Sequence, residues 1–301
     1  MRIHAIQTGT VAIKARQVSG KGSGSLRLIN TILDKEWTEP LPIYVWVIEH
    51  PEGLIVIDTG ETARAAEPGY FPWWHPYYKS VREAMRPEEE IGPQLRTLGL
   101  SPNDVRWVLL THLHTDHAGG LHHFPKSQIL VSRAEYQAAR GFRGQVKGYL
   151  PQHWPTWFSP TLIDFAPEPF ASFPQSYTLT KAGDIHLVAT PGHTLGHYSV
   201  ILQENDHVLF FAGDTSYTEQ LMLEQSVDGV TSNIAVYRET SRQILAYLQS
   251  TPTVYLPSHD PDALERLVTR KAALPVSAQR VSGAKTEAHQ WRTEKKTHAP
   301  C

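Results

Sequence analysis

The segment Thr111-His112-Leu113-His114-Thr115-Asp116-His117-Ala118-Gly119-Gly120 constrains this chain more than any other. It follows Val105–Leu110, an apolar run that reads as a buried strand. Three imidazoles and one carboxylate fall within the six residues 112–117. Neutral imidazole and carboxylate suit zinc and similar divalent ions. A strand that delivers such a cluster to its C-terminal end predicts a metal site, and a metal site predicts hydrolysis.

Further strands end in the same way. Ile185–Thr190 leads to Pro191-Gly192-His193, Val208–Ala212 to Gly213-Asp214, and Thr253–Leu256 to Pro257-Ser258-His259. Ligands gathered at strand ends from several parts of a chain are how a site is held on a rigid scaffold. Seven candidates result: His112, His114, Asp116, His117, His193, Asp214 and His259.

The elements around them alternate. Residues 3–15 read as a strand, and Leu26–Leu33 as a continuation of that sheet. Ile43–His50 and Leu54–Asp58, joined by Pro51-Glu52-Gly53, read as a hairpin apolar at nearly every position, hence covered on both faces. Glu88–Leu98 reads as a helix stopped by Gly99, Gln128–Val131 as a strand, Ala134–Arg140 as a helix start and Asn233–Gln249 as an amphipathic helix. Thr59–Arg86 and 141–178, rich in proline and aromatics, read as irregular. The repeated order of strands, helix and ligand-bearing strands predicts two packed sheets with helices outside, a four-layer αβ/βα sandwich. One domain is expected over 1–280, with an aromatic-rich insertion at about 61–87 and a polar tail over 281–301.

Composition excludes several classes. A net charge of −2 leaves no electrostatic footprint for nucleic acid or an anionic membrane. The single cysteine, Cys301, permits no intrachain disulfide and leaves any metal to histidine and carboxylate. Met1–Gly9 has no apolar signal-type run and no segment reaches the length of a membrane span, so a cytoplasmic protein is expected.

The pattern H-x-H-x-D-H, followed by a distant His, Asp and His, resembles the metallo-β-lactamase superfamily over about residues 40–260. Leu54-Ile55-Val56-Ile57-Asp58-Thr59-Gly60 resembles that family's early strand ending in an aspartate. The resemblance implies two divalent metal ions, zinc first and cobalt, iron or manganese as alternatives. His112, His114 and His193 would hold one ion and Asp116, His117 and His259 the other. Asp214 would bridge the two, and Asp58 would orient a ligand histidine. His197, His122 and His123 match no ligand position and are expected to be structural or surface residues.

Substrate is read from Gly213-Asp214-Thr215-Ser216-Tyr217. A tyrosine three residues after the bridging aspartate resembles the N-acyl-homoserine lactone lactonases, the quorum-quenching branch of that superfamily. This implies opening of a lactone ring by a hydroxide that bridges the metals. Tyr217 would stabilise the oxyanion and Asp116 would protonate the leaving alkoxide. An acyl chain needs an apolar groove, for which Phe71, Trp73, Trp74, Tyr77, Tyr78, Trp154, Trp157 and Phe158 are candidates. A small-molecule lactone and a second copy of the chain are the expected partners. The alternatives are another ester or organophosphate hydrolase of the superfamily, or a signal-binding effector without turnover.

Overall fold

A computed structural model describes residues 1–205, 207–231 and 233–273. The tail expected over 281–301, with Cys301, lies outside the described residues. β1 (Arg2–Ile13), β2 (Leu41–His50), β3 (Gly53–Ile57), β4 (Val81–Ala84), β5 (Val105–Leu109), β6 (Gln128–Ser132) and β7 (Thr161–Ile163) form one sheet, ordered β4-β1-β2-β3-β5-β6-β7. β8 (Ser176–Thr178), β9 (Ile185–Ala189), β10 (Tyr198–Gln203), β11 (Val208–Gly213) and β12 (Thr253–Pro257) form the second, ordered β12-β11-β10-β9-β8. β2 and β3 pair antiparallel as the hairpin expected from sequence. β3, β5, β6 and β7 run parallel, as do β11 and β12, which brings ligand-bearing strand ends to one edge of the sandwich.

The helices are α1 (Ala15–Val18), α2 (Ser25–Ile32), α3 (Ile91–Thr97), α4 (Thr115–Ala118), α5 (Arg133–Ala139), α6 (Gly141–Val146), α7 (Glu219–Leu223), α8 (Ile234–Ser250) and α9 (Ala263–Thr269), of which α3, α5 and α8 pack on the outer sheet faces. The two-residue side-chain period of a strand divides each sheet between two cores. On β2, Tyr44, Trp46 and Ile48 point between the sheets, where they meet Tyr198, Val200, Leu209 and Phe211. Val45 and Val47 point the other way, toward Ile91 and Leu95 of α3. On β11, Phe210 and Ala212 pack outward against Ile244, Tyr247 and Leu248 of α8. The result is the expected four-layer sandwich. α8 starts at an Asn233 cap whose side chain accepts from the N–H groups of Ala235 (3.1 Å) and Val236 (3.2 Å).

Three local expectations fail. Leu26–Leu33 does not continue the sheet but lies in and just beyond α2. Its apolar residues Leu26, Ile29 and Leu33 stand at helical spacing and are exposed. The buried face is polar: Arg27 donates to the carbonyls of Val227 and Asp228, and Thr31 to that of Gly229. The stretch Thr59–Arg86 contains β4, which pairs with the edge of β1 from Thr10 to Ile13. Residues 141–178 contain α6, β7 and β8, elements too short for a periodic signal. Among the described residues no helix is long and apolar enough to cross a membrane.

Candidate metal centre

The seven expected donors meet at the edge where β3, β5, β9, β11 and β12 end. β5 stops at Leu109 and the chain turns into α4, carrying His112, His114, Asp116 and His117. Asp58, just past β3, sits at φ 61°, a conformation that aspartate tolerates better than most residues. Its Oδ1 accepts from the Thr111 N–H at 2.8 Å, and its Oδ2 lies 2.8 Å from Nδ1 of His117. One buried carboxylate thus fixes both the start of the histidine loop and the orientation of a histidine within it.

The donor atoms form two groups that share Asp214. Nδ1 of His114 is 3.1 Å from Nε2 of His112 and 3.1 Å from Nε2 of His193. Nε2 of His259 is 3.3 Å from Oδ2 of Asp116, and Nε2 of His117 is 3.9 Å from the same oxygen. Oδ1 of Asp214 lies 3.3 Å from Nε2 of both His117 and His259, while its Oδ2 lies 3.4 Å from Nε2 of His193. One oxygen of the carboxylate faces each group.

These residues fit a divalent ion in each group. Tetrahedral bonds of 2.0–2.1 Å separate ligand atoms by about 3.3 Å, close to the spacings found. His117 Nε2 and Asp214 Oδ1 are buried with no hydrogen-bond partner, which is costly unless a further group satisfies them. The opposite ring nitrogens are already engaged. Nδ1 of His193 lies 2.8 Å from Oδ2 of Asp228, Nδ1 of His259 donates to the Pro42 carbonyl at 2.9 Å, and Nδ1 of His112 meets the Thr111 hydroxyl at 3.1 Å. Such contacts fix the ring orientation and the nitrogen left for a metal.

The electrostatics divide the histidines. Burial, with His193 beside it, pushes His114 down to about 3, and burial with His117 and His114 nearby also lowers His112. Burial works against charge at His259, yet Asp214 and Asp116 outweigh it and raise the group to about 10. His117 is raised against burial by Asp214, Asp58 and Asp116. His197, expected to be structural, accepts from the Asp214 N–H at 3.0 Å through Nε2, and its Nδ1 meets Thr190. A Cβ at position 213 would stand 2.5 Å from that Nε2 at φ 56°, so glycine is needed before Asp214. His122 and His123 lie apart from the centre.

Tyr217 is buried and lines the same cavity as His114, Asp116, His193, Asp214 and His259; its hydroxyl accepts from the Gln17 amide at 3.0 Å. Tyr78 also lines the cavity, with Val11, Ile13 and Val81. The other aromatics expected in a groove are not among its lining residues. Phe71 packs on Tyr70 and Tyr78. Trp73 is 87% exposed, and Trp74 and Trp157 also face outward. Trp154 stacks on Tyr136 and touches Phe158, and it borders a separate cleft of about 400 Å³. Phe71, Trp154 and Phe158 pack on neighbouring rings rather than on the metal cavity. The side chain of Tyr77 lies outside the described residues.

Several functional contacts escaped the sequence reading. Glu135 is buried and accepts from the N–H of Leu113 at 3.0 Å and of Gly196 at 3.1 Å, tying together the loops that bear His112, His114 and His193. Glu61 accepts from Thr115, and burial raises its carboxyl to about 7. Glu83 lines the metal cavity with a buried, unpartnered Oε2. Gln17 and Asp228 carry no local motif, because their partners lie 200 and 35 residues away. The only available signal was the turn-forming pair Asp228-Gly229.

Two sheets that gather two histidine and carboxylate groups at one edge define a metal-binding sandwich. Residues 38–259 match the family model of the metallo-beta-lactamase superfamily, and the chain belongs to that superfamily. It is similar to the N-acyl homoserine lactonase AttM of Agrobacterium fabrum, 26% identical over 274 residues that cover 87% of this chain and 94% of the relative. It is also similar to an N-acyl homoserine lactonase of Bacillus cereus, 28% identical over 60% of this chain and 66% of the relative. Among solved structures, an N-acyl homoserine lactone hydrolase with N-hexanoyl-L-homoserine at its catalytic metal centre superposes with a TM-score of 0.70. It is 20% identical, covers 87% of this chain and 94% of its own, and bears on the fold alone.

Proposed function

We propose that this chain is a metal-dependent hydrolase that opens the lactone ring of N-acyl homoserine lactones. The observation that carries the reading is that Asp214 faces a donor group with each carboxylate oxygen, beside Tyr217 in one cavity. The relatives named N-acyl homoserine lactonases, aligned over most of the chain, support the substrate class.

In this reading His112, His114 and His193 would hold one ion and Asp116, His117 and His259 the other, with Asp214 available to both. Two divalent ions held there would supply hydroxide from water near neutral pH and polarise the carbonyl; zinc suits the donors, and cobalt, iron or manganese would serve. The Tyr217 hydroxyl donates to the carbonyl oxygen as charge develops on it. The Gln17 amide donates to the phenol oxygen, which favours turning the phenol hydrogen away from Gln17. Asp116, with His259 at 3.3 Å, takes the proton released by the attacking water and returns it to the ring oxygen as the C–O bond breaks. The product is an N-acyl homoserine.

A homodimer is part of the same proposal. Leu26, Ile29 and Leu33 are exposed near the insertion that carries Trp73 and Trp74, and Phe142 lies 6.3 Å from Trp74. Light scattering of the purified chain at one subunit mass would reject the dimer. The hydrolase reading is tested by pH-stat ring opening across acyl-homoserine lactones of varied chain length, with an aryl ester and a phosphotriester alongside. Activity on the phosphotriester alone would reject the lactone assignment.

A further inference from the structure

Glu90, His122 and His123 meet on the outer face of the first sheet, apart from the central cavity. The Oε2 atom of Glu90 lies 2.7 Å from Nε2 of His123 and 3.1 Å from Nε2 of His122. Its Oε1 is held separately, by the Ala63 N–H at 2.7 Å and the Thr62 hydroxyl at 3.1 Å. The carboxylate is therefore fixed from behind, with one oxygen turned toward two imidazoles. The Glu90 side chain is 10% exposed, that of His123 15% and that of His122 45%, so the cluster is supported on its inner side and open on the other.

The hydrogen-bond contacts of this cluster call for one positive charge between the two rings and Glu90. Nδ1 of His122 lies 3.3 Å from the Gly119 carbonyl oxygen, which can only accept, so Nδ1 carries the proton. A neutral His122 then presents its Nε2 lone pair to a carboxylate oxygen. His123 presents its own Nε2 to the same oxygen, with the two ring centroids 4.0 Å apart. Protonation of His122, with His123 as its neutral Nε2–H tautomer, would balance the contacts by setting one positive ring beside a neutral one. One divalent ion would balance them with a single charge centre. His123 has been given room: a Cβ at Gly92 would stand 2.3 Å from its Nδ1, so the ring lies directly on the α3 backbone.

We propose that Glu90, His122 and His123 form a further metal site, separate from the central one, that takes a divalent transition cation of the zinc type. Two imidazole nitrogens and one carboxylate oxygen converge within bonding reach of a common point. Such a set suits zinc, with the exposed side left for water. An ion there would clamp the turn after His117, residues 119–123, to the start of α3 and to the Thr62–Ala63 backbone. It would hold the metal-bearing segment from outside and take no part in the chemistry. His122 also borders the cleft of about 400 Å³ lined by Tyr70, Gln152 and Trp154, which gives the ion an open approach.

The test uses the full chain, stripped of metal and reloaded with zinc at micromolar free concentration. Bound metal is counted by mass spectrometry beside His122→Ala and Gly92→Ala. The wild type should hold one zinc more than either variant, and that equivalent should raise its melting temperature but not theirs. Lactone turnover should stay within about twofold in His122→Ala, a half-exposed side chain outside the lining of the cavity. The readout is the difference between wild type and variant, so it stands whatever the chain hydrolyses. Equal metal content in wild type and both variants would overturn the proposal. So would an extra equivalent that binds only at millimolar zinc.

Discussion

Asp228→Asn tests how far a buried carboxylate sets the metal affinity of a histidine. Oδ2 of Asp228 lies 2.8 Å from Nδ1 of His193, and both side chains are 1% exposed. Oδ1 accepts from the N–H of Val230 at 3.0 Å and of Thr231 at 2.6 Å. Asparagine keeps Oδ1, so the turn should hold. It turns Oδ2 into an NH2 group that faces the Nδ1–H of His193, donor against donor. The imidazole either loses the contact or moves its proton to Nε2, the atom 3.1 Å from Nδ1 of His114 that a metal requires. A hydrogen bond to a charged group contributes about 1.5–3 kcal/mol. At about 1.4 kcal/mol per decade that is roughly a 10- to 150-fold loss of affinity at the His112, His114 and His193 group. The range matches the 10–100-fold typical of partners behind metal ligands. Chelator competition measures it, with the melting curve of the metal-free variant as the control for folding. An affinity within about twofold of wild type, in a variant that folds normally, would refute the reasoning.

Tyr217→Phe should lower lactone turnover by about 10²-fold at unchanged metal content, the scale of losing one oxyanion donor; an unchanged rate removes the phenol from the chemistry. In the metal-free protein Asp214 and Asp116 hold His259 protonated up to about 10 against the effect of burial, and Asp214, Asp58 and Asp116 raise His117 likewise. A metal must displace those protons, so affinity should rise with pH through the neutral range. Loading at neutral pH should release at least two protons, read by calorimetry in buffers of different ionisation enthalpy; no release would contradict this. Trp46→Ala empties a fully buried ring between the sheets and should cost about 3–5 kcal/mol in denaturant unfolding. A cost below about 1 kcal/mol would mean that the inter-sheet core repacks.

The two kinds of element differed in how legible they were. The β2–β3 hairpin, β5 and β11 were readable as continuous apolar runs, and α8 because its amphipathic period runs over enough residues to show a face. α2 was misread because its buried side is polar and its apolar side faces solvent, which inverts the usual signal. β4, β7 and β8 are three or four residues long and owe their strand form to a neighbouring strand rather than to local preference. The aromatic insertion reads from composition as a pocket wall, a dimer contact or a loop packed on its own rings, and Tyr78 from it lines the cavity. In the structure Phe71, Tyr70 and Tyr78 pack together, and Trp154 packs on Tyr136. Ring content cannot say which surface a ring covers.

The sequence by itself determined which side chains could serve as donors. Metal chemistry demands particular side chains, and those side chains stand where strands end, so His112, His114, Asp116, His117, His193, Asp214 and His259 could be named from spacing and family resemblance. Only the tertiary structure decided what stands behind them. Asp228 against His193, Glu135 across two loops, Gln17 against Tyr217 and Glu90 against His122 and His123 are contacts between residues far apart in the chain. A carboxylate or amide in such a role leaves no local pattern. Its role comes from one hydrogen-bond geometry that exists only once distant segments of the chain have folded together.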